Sequence, residues 1–259
     1  MEKSKPETGP EVLKPGRAVM QYRCINCGIG SSDLYKDYRN GIIKMMHCVQ
    51  CSEIIDKYIE YDPVVISLDV LLLNRKALRH VLFNSNVQGV WKYVILLLTC
   101  DAFVKLALQR AKGEITPVNP TYIIYSAMEW GLYKNCLLAA IELSSLVLCI
   151  CVLVMVFSSL NPTLSSYSCN RWKDISNLVQ AVVLSNFGKF LVILAVLWGT
   201  KNSHLYIQLI KTYICAASVQ ALRVCLPHWR VLQVSIIAIL GHLLSMYATY
   251  SVQLTLFGG

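Results

Sequence analysis

The stretch Cys24-Ile25-Asn26-Cys27-Gly28 and its echo Cys48-Val49-Gln50-Cys51 decide how the first part of this 259-residue chain folds. Twenty residues separate the two C-x-x-C pairs, a spacing that matches a double-knuckle zinc site. Each turn aims two thiolates at one ion, and Gly28 lets backbone N–H groups approach the sulfurs and stabilise their charge. Four sulfurs close a tetrahedral shell and leave no open position for water. Cys24, Cys27, Cys48 and Cys51 therefore predict a structural zinc rather than a catalytic one. His47 stands beside Cys48 and is a neighbour that could substitute as a ligand. A redox C-x-x-C or two disulfides are the competing readings.

Working outward, residues 35–38 and 42–45 flank Asn40-Gly41, the dipeptide that best fits a tight hairpin turn. Asp56-Lys57-Tyr58-Ile59-Glu60-Tyr61-Asp62-Pro63 reads as a short third strand stopped by proline. Residues 64–83 then read as an amphipathic helix with Val70, Leu71, Leu73, Ala77, Leu78, Val81 and Leu82 on one side. Asp69, Arg75, Lys76, Arg79 and His80 fall opposite, and Leu72 and Asn74 spoil the pattern. Arg75, Lys76, Arg79 and His80 form a basic edge suited to anionic lipid or a partner; packing against the ribbon is the alternative. Residues 21–88 thus predict a small zinc ribbon. Its core is too small to fold alone, so the metal supplies much of its stability.

Residues 1–20 contain Pro6, Pro10, Pro15, Gly9 and Gly16 and no apolar run, which predicts a disordered tail and no secretory signal core. The first membrane span must then direct insertion, which leaves the ribbon in the cytosol. Thiolate ligation favours that reducing compartment as well.

The remainder, 89–259, is of another kind. The chain is 55% hydrophobic and 15% charged, a balance that points to a membrane protein. Five tracts approach the roughly 20 residues needed to cross hydrocarbon: 90–108, 136–157, 175–199, 204–226 and 231–257. The fold class is therefore mixed, a zinc ribbon followed by an α-helical multi-span bundle. The first tract contains Lys92, Asp101 and Lys105 and has two readings: an interfacial or re-entrant helix, or a span in which Asp101 and Lys105, four apart, pair and lower each other's insertion cost. The third carries Asn186-Phe187-Gly188-Lys189, a potential break. All five tryptophans, Trp91, Trp130, Trp172, Trp198 and Trp229, fall near tract boundaries, as an interfacial belt requires.

With five spans and a cytosolic amino end, Arg171, Lys173 and Arg230 share the cytosolic side with the ribbon. Arg110, Lys112, Lys134 and Lys201 lie opposite, in agreement with the positive-inside rule. The net charge of +9 is concentrated in residues 90–259, with 12 basic and 5 acidic side chains, against 12 and 10 in 1–89. That near-neutral head excludes a nucleic-acid-binding surface. Of the eleven cysteines, Cys100, Cys136, Cys149, Cys151, Cys215 and Cys225 read as small buried thiols, and Cys169 falls in a polar loop. Glu142, Lys189, Lys211 and Arg223 sit inside tracts and are candidates for a polar groove that accommodates a lipid headgroup. Mutual pairing or snorkelling is the alternative.

The order of the two cysteine pairs, Asp56-Lys57-Tyr58-Ile59-Glu60-Tyr61-Asp62 and Arg79-His80-Val81-Leu82-Phe83-Asn84 resembles the Arv homology domain. The likeness is specific over about residues 22–84. It continues loosely through Phe187-Gly188-Lys189 and Gln220-Ala221-Leu222-Arg223-Val224. The resemblance implies a multi-pass endoplasmic-reticulum membrane protein of intracellular sterol transport and sterol and sphingolipid homeostasis. A linked role in glycosylphosphatidylinositol anchor synthesis is also implied. Expected partners are membrane lipids including sterol, and membrane proteins of lipid transport or anchor synthesis. A membrane acyltransferase is the enzymatic alternative, with His242 in Ile239-Leu240-Gly241-His242-Leu243 as its histidine. The chain carries no G-x-S-x-G elbow, no phosphate-cradling glycine loop and no H-E-x-x-H motif, so catalysis is not expected.

Overall fold

A computed structural model describes residues 22–38, 42–85, 90–111, 123–160, 171–197 and 203–257. The tail 1–20, the Asn40-Gly41 turn, Cys169, Trp198, Lys112 and Lys201 lie outside these residues.

The ribbon begins with two short antiparallel pairs. Strands β1 (Tyr22–Arg23) and β2 (Gly30–Ser31) enclose the first knuckle, and β3 (Tyr35–Tyr38) and β4 (Ile42–Met45) form the expected hairpin in the register Tyr35 opposite Met45. The predicted third strand is not formed. Its place is taken by a 3-10 turn, Tyr58–Glu60. The cause is Asp56, whose Oδ1 accepts the Tyr58 N–H at 2.9 Å and so bends the backbone where a strand would run straight. Among the described residues an isolated bridge joins His47 to Ile54, earlier in the chain than expected.

The predicted single helix over 64–83 is also interrupted. Helix α1 (Pro63–Leu71) starts with proline in its first turn and with Asp62 accepting from the Val64 N–H. It stops at Leu73, whose φ of 57° is left-handed. The Asn74 N–H then bonds the Asp69 carbonyl and the Leu73 N–H bonds the Val70 carbonyl, a Schellman closure. Asn74 in turn caps helix α2 (Arg75–Arg79), which runs into a π turn at His80–Asn84. The break rotates the faces. Asp69 points inward to the Tyr58 hydroxyl at 2.6 Å, whereas Val64, Val65, Leu68 and Leu72 are exposed.

Among the described residues six helices follow: α3 (Val90–Ala111), α4 (Ile123–Leu160), α5 (Arg171–Ser185), α6 (Lys189–Leu197), α7 (Ser203–Cys225) and α8 (Val231–Phe257). Asn186–Gly188 forms a 3-10 turn between α5 and α6. Four segments among the described residues are long and apolar enough to cross a membrane: Trp130–Leu160, Asp174–Ile193, Leu205–Cys225 and Val231–Thr255. The first predicted tract is a helix but does not join that set, because Lys92, Asp101, Lys105 and Arg110 lower its apolarity.

Paired contacts fix the packing. Lys105 meets Glu142 and Gln109 meets Asn135, so α3 runs antiparallel to α4. Ser145 meets Ser245, and a Cβ on Gly241 would come within 2.7 Å of Ile150. That places α8 antiparallel to α4 at a distance only glycine allows. The contacts of Cys225 with the Asn177 carbonyl and of Ser218 with Ser185 make α5 and α7 antiparallel. Leu146, Ile150, Leu178, Val182, Leu222, Val234 and Ile237 fill the centre. A second core is shared between ribbon and bundle: Ile25, Tyr58, Val70, Ala77, Leu78 and Leu82 pack with Ala181, Ala221 and Val224. Outward, Leu148, Val152, Met155, Ile236, Leu240 and Leu243 are exposed, an apolar girdle suited to lipid rather than water.

Candidate metal centre and buried polar clusters

The two knuckles repeat one backbone design. In the first, the Gly28 N–H bonds the Cys24 carbonyl at 2.9 Å and the Cys24 N–H bonds the Ile29 carbonyl at 2.8 Å. In the second, the Ser52 N–H bonds the Cys48 carbonyl at 3.0 Å and the Cys48 N–H bonds the Glu53 carbonyl at 2.8 Å. The residue after each second cysteine has a left-handed φ, 84° at Gly28 and 57° at Ser52. Glycine adopts this conformation freely; serine does so at a cost.

These turns bring the four cysteine sulfurs within 4.8 Å of one another. Cys24 Sγ lies 3.7 Å from Cys51 Sγ and Cys27 Sγ 3.5 Å from Cys48 Sγ. A disulfide requires about 2.05 Å, whereas zinc–sulfur bonds of about 2.3 Å in a tetrahedron imply edges of about 3.8 Å. The cluster fits one tetrahedral metal ion. Backbone N–H groups of Cys51 and then Gln50 hold the Cys48 thiol down to about 6, against the opposing effect of burial. His47 does not join the ligand group; its Nδ1 is 3.1 Å from the Ser52 carbonyl.

Arg79 braces the first knuckle. Its Nη1 donates to the carbonyls of Ile25 at 2.8 Å and Asn26 at 2.6 Å, which brings a cation beside the thiolates. His80 is buried and its Nδ1 lies 2.7 Å from Asp56 Oδ2. The same oxygen accepts from Asn84 Nδ2 at 2.6 Å, and Asn84 Oδ1 accepts the Arg23 N–H at 2.8 Å. Asp56, His80 and Asn84 thus lock the π turn onto β1. Of the predicted basic edge, Arg75 and Lys76 are exposed, while Arg79 and His80 turn into the ribbon.

Inside the bundle, Glu142 and Lys189 come together, with two partners. Lys105 Nζ lies 3.1 Å from Asp101 Oδ2 and 2.7 Å from Glu142 Oε2. Lys189 Nζ lies 3.2 Å from Asp101 Oδ2 and 3.0 Å from Glu142 Oε1. Two acids and two bases form a closed, neutral ring joining α3, α4 and α6. Lys211, exposed, and Arg223, half-buried, belong to no ion pair among the described residues. His242 Nε2 is 3.0 Å from Ser218 Oγ, which also meets Ser185 Oγ at 3.0 Å. These three residues form a hydrogen-bonded seam across α5, α7 and α8.

Sequence reasoning missed Asp56, Asn84 and Ser52. Asp56 and Asn84 carried a signal only as members of the two stretches that bear the family resemblance, and Ser52 carried none.

The model of the Arv1-like family matches residues 23–222, a range that takes in the cysteine cluster, the locking residues and the ion ring. The chain belongs to the Arv1-like family. It is similar to the human protein named ARV1, 33% identical over 227 residues that cover 88% of this chain and 80% of the relative. The mouse protein of the same name is 33% identical over 223 residues, 86% of this chain and 80% of the relative. The Schizosaccharomyces pombe protein named arv1 is 25% identical over 235 residues, 88% and 84% respectively. No solved structure matches the chain.

Proposed function

We propose that this Arv1-like protein is a multi-pass protein of the endoplasmic reticulum membrane with a cytosolic amino end, in which zinc fills the four-cysteine site, and that it mediates intracellular sterol transport and sterol and sphingolipid homeostasis. The observation that carries the reading is family membership over residues 23–222, joined to four membrane-length apolar helices. Zinc is favoured over other ions by an all-thiolate tetrahedron, and it has a fixing role there, with no free coordination position.

The ion ring supports five crossings. The ribbon abuts the end of the bundle where α4 ends, α5 begins and α7 ends, since Arg23 and Phe83 share a cavity with Ser158, Asp174 and Pro227. Helix α3 leaves the ribbon and reaches Asn135 through Gln109, toward the other end of α4. Its charges Asp101 and Lys105 are neutralised by Lys189 and Glu142, which lowers the cost of their insertion. A glycosylation tag beside Asn119 is then modified and one before Cys24 is not; the reverse pattern refutes the orientation.

A second reading, a non-catalytic accessory or lipid-flipping role in glycosylphosphatidylinositol anchor biosynthesis, is supported by the rigid ribbon as a docking surface. Exposed Arg75 and Lys76 beside the apolar Leu68 and Leu72 suit contact with lipid headgroups or a partner. Purified protein reconstituted in vesicles separates the two readings. Sterol transfer without partners supports transport; inactivity together with co-purification of an anchor-synthesis enzyme supports the accessory role.

A further inference from the structure

Where the ribbon meets the bundle there is a cavity of about 440 Å³, within the range of sites that hold small ligands. Val154 and Met155 of α4, Leu178 of α5 and Trp229 before α8 give it an apolar side, and Ser158, Asn177 and His228 a polar one. Its lining also includes two charges of opposite sign. Arg23 comes from β1, its guanidinium stacked 4.2 Å over the Phe83 ring, and Asp174 comes from the first turn of α5. Neither makes an ion pair or a side-chain hydrogen bond among the described residues. A half-apolar chamber that offers a cation and, at its exposed rim, an anion, neither with an ion-pair partner among the described residues, matches an amphiphile that carries both charges on its head.

We propose that this cavity binds a zwitterionic phospholipid, with the phosphate toward Arg23, the ammonium toward Asp174 and an acyl chain between α4 and α5. Arginine hydrogen-bonds phosphate through its planar fork, and a carboxylate attracts the positive amine. A purely anionic head meets repulsion from Asp174 and is disfavoured. The bound lipid bridges ribbon and bundle, because Arg23 and Phe83 belong to the ribbon and the remaining walls to the helices. This goes beyond the sterol-transport reading and does not rest on it.

Trp229 supplies the readout. The full chain in detergent is titrated with brominated-chain phosphatidylcholine and, separately, brominated-chain phosphatidylglycerol. Quenching that Trp229→Phe abolishes is taken as the signal. Saturable quenching that favours phosphatidylcholine is expected. Arg23→Gln should weaken it about tenfold, the loss of one charge-assisted hydrogen bond, and leaves the backbone bonds to Asn84 in place. Asp174→Asn should reverse the preference toward phosphatidylglycerol. Val154→Phe, which fills the chamber, should abolish quenching by both lipids while zinc content and thermal midpoint hold. Equal quenching by the two lipids, or quenching unchanged in Arg23→Gln and Asp174→Asn, overturns the proposal and leaves an apolar crevice that detergent or bulk lipid wets.

Discussion

Ribbon and bundle each withdraw carboxylates from solvent, wholly at Asp56 and partly at Asp101 and Glu142, and they satisfy them in opposite ways. In the ribbon, Asp56 is fully buried and is held by a backbone N–H, an amide and a histidine. In the bundle, Asp101 and Glu142 are held by two lysines and close a neutral ring. The ribbon can draw on backbone groups because knuckles and turns leave N–H donors free. Helices consume their own, so a buried acid in the bundle must take its partner from a side chain on another helix. The ribbon is therefore specified by local geometry and a four-thiol cluster that fits a metal, and the bundle by distant charge pairing.

The largest effect should come from the metal. With zinc in the four-cysteine site as proposed, Cys24→Ser or Cys48→Ser should reduce it from one ion per chain to near none and lower protein abundance, because metal binding supplies about 10 kcal/mol or more of folding energy in such small sites. The Ile25 and Tyr58 core shared with Ala181 and Ala221 transmits the loss to the bundle. Metal analysis and a thermal midpoint in detergent read both effects; full zinc in either variant would remove the metal from the comparison.

Next in size is the ring. Glu142→Gln leaves two lysines facing one carboxylate, and breaking this partly buried set costs about 3 kcal/mol, the low end for a buried pair. Glu142→Gln combined with Lys189→Gln restores neutrality and should recover more than half of the loss. Additive losses would mean that the four charges act independently. In the ribbon, Asp56→Asn keeps an oxygen for the Tyr58 N–H but puts an amide nitrogen where Oδ2 met His80 Nδ1 and accepted from Asn84 Nδ2, so about 2 kcal/mol is expected. Hydrogen exchange at β1 and the π turn should show it, with no change in the helices.

This contrast also explains what could be read from the chain. The cysteine spacing is a local code, and the hairpin over Tyr35–Tyr38 and Ile42–Met45 and the helices at all five tracts were legible because each depends on neighbours in sequence. The third strand failed because one side chain, Asp56, outcompeted the strand pattern, and the helix over 64–83 failed because Asn74 recaps after Leu73. The ring was half legible. Asp101 and Lys105 are one helical turn apart, but Lys189 is 88 positions from Asp101 and only the fold brings them together. Four sulfurs announced a metal by spacing, while Asp56 and Asn84, 28 positions apart, carried no spacing rule.

The smallest prediction tests whether the ribbon is fixed by its backbone as closely as the comparison requires. Gly28 and Ser52 occupy equivalent left-handed positions, but only Gly28 adopts that conformation without strain. Ser52→Gly should relieve about 1 kcal/mol of backbone strain, less what the more flexible unfolded chain regains. Gly28→Ala should lose about the same, and the cause is conformational, since a Cβ there would meet the Arg79 guanidinium only at an ordinary 3.7 Å. Competition with a zinc chelator reads both, because the knuckle conformation is coupled to metal retention. Opposite shifts in the two variants make the two knuckles one design used twice. A shift at Gly28 with none at Ser52 would show that the second knuckle tolerates its strained residue through contacts of its own, such as the His47 ring against the Ser52 carbonyl.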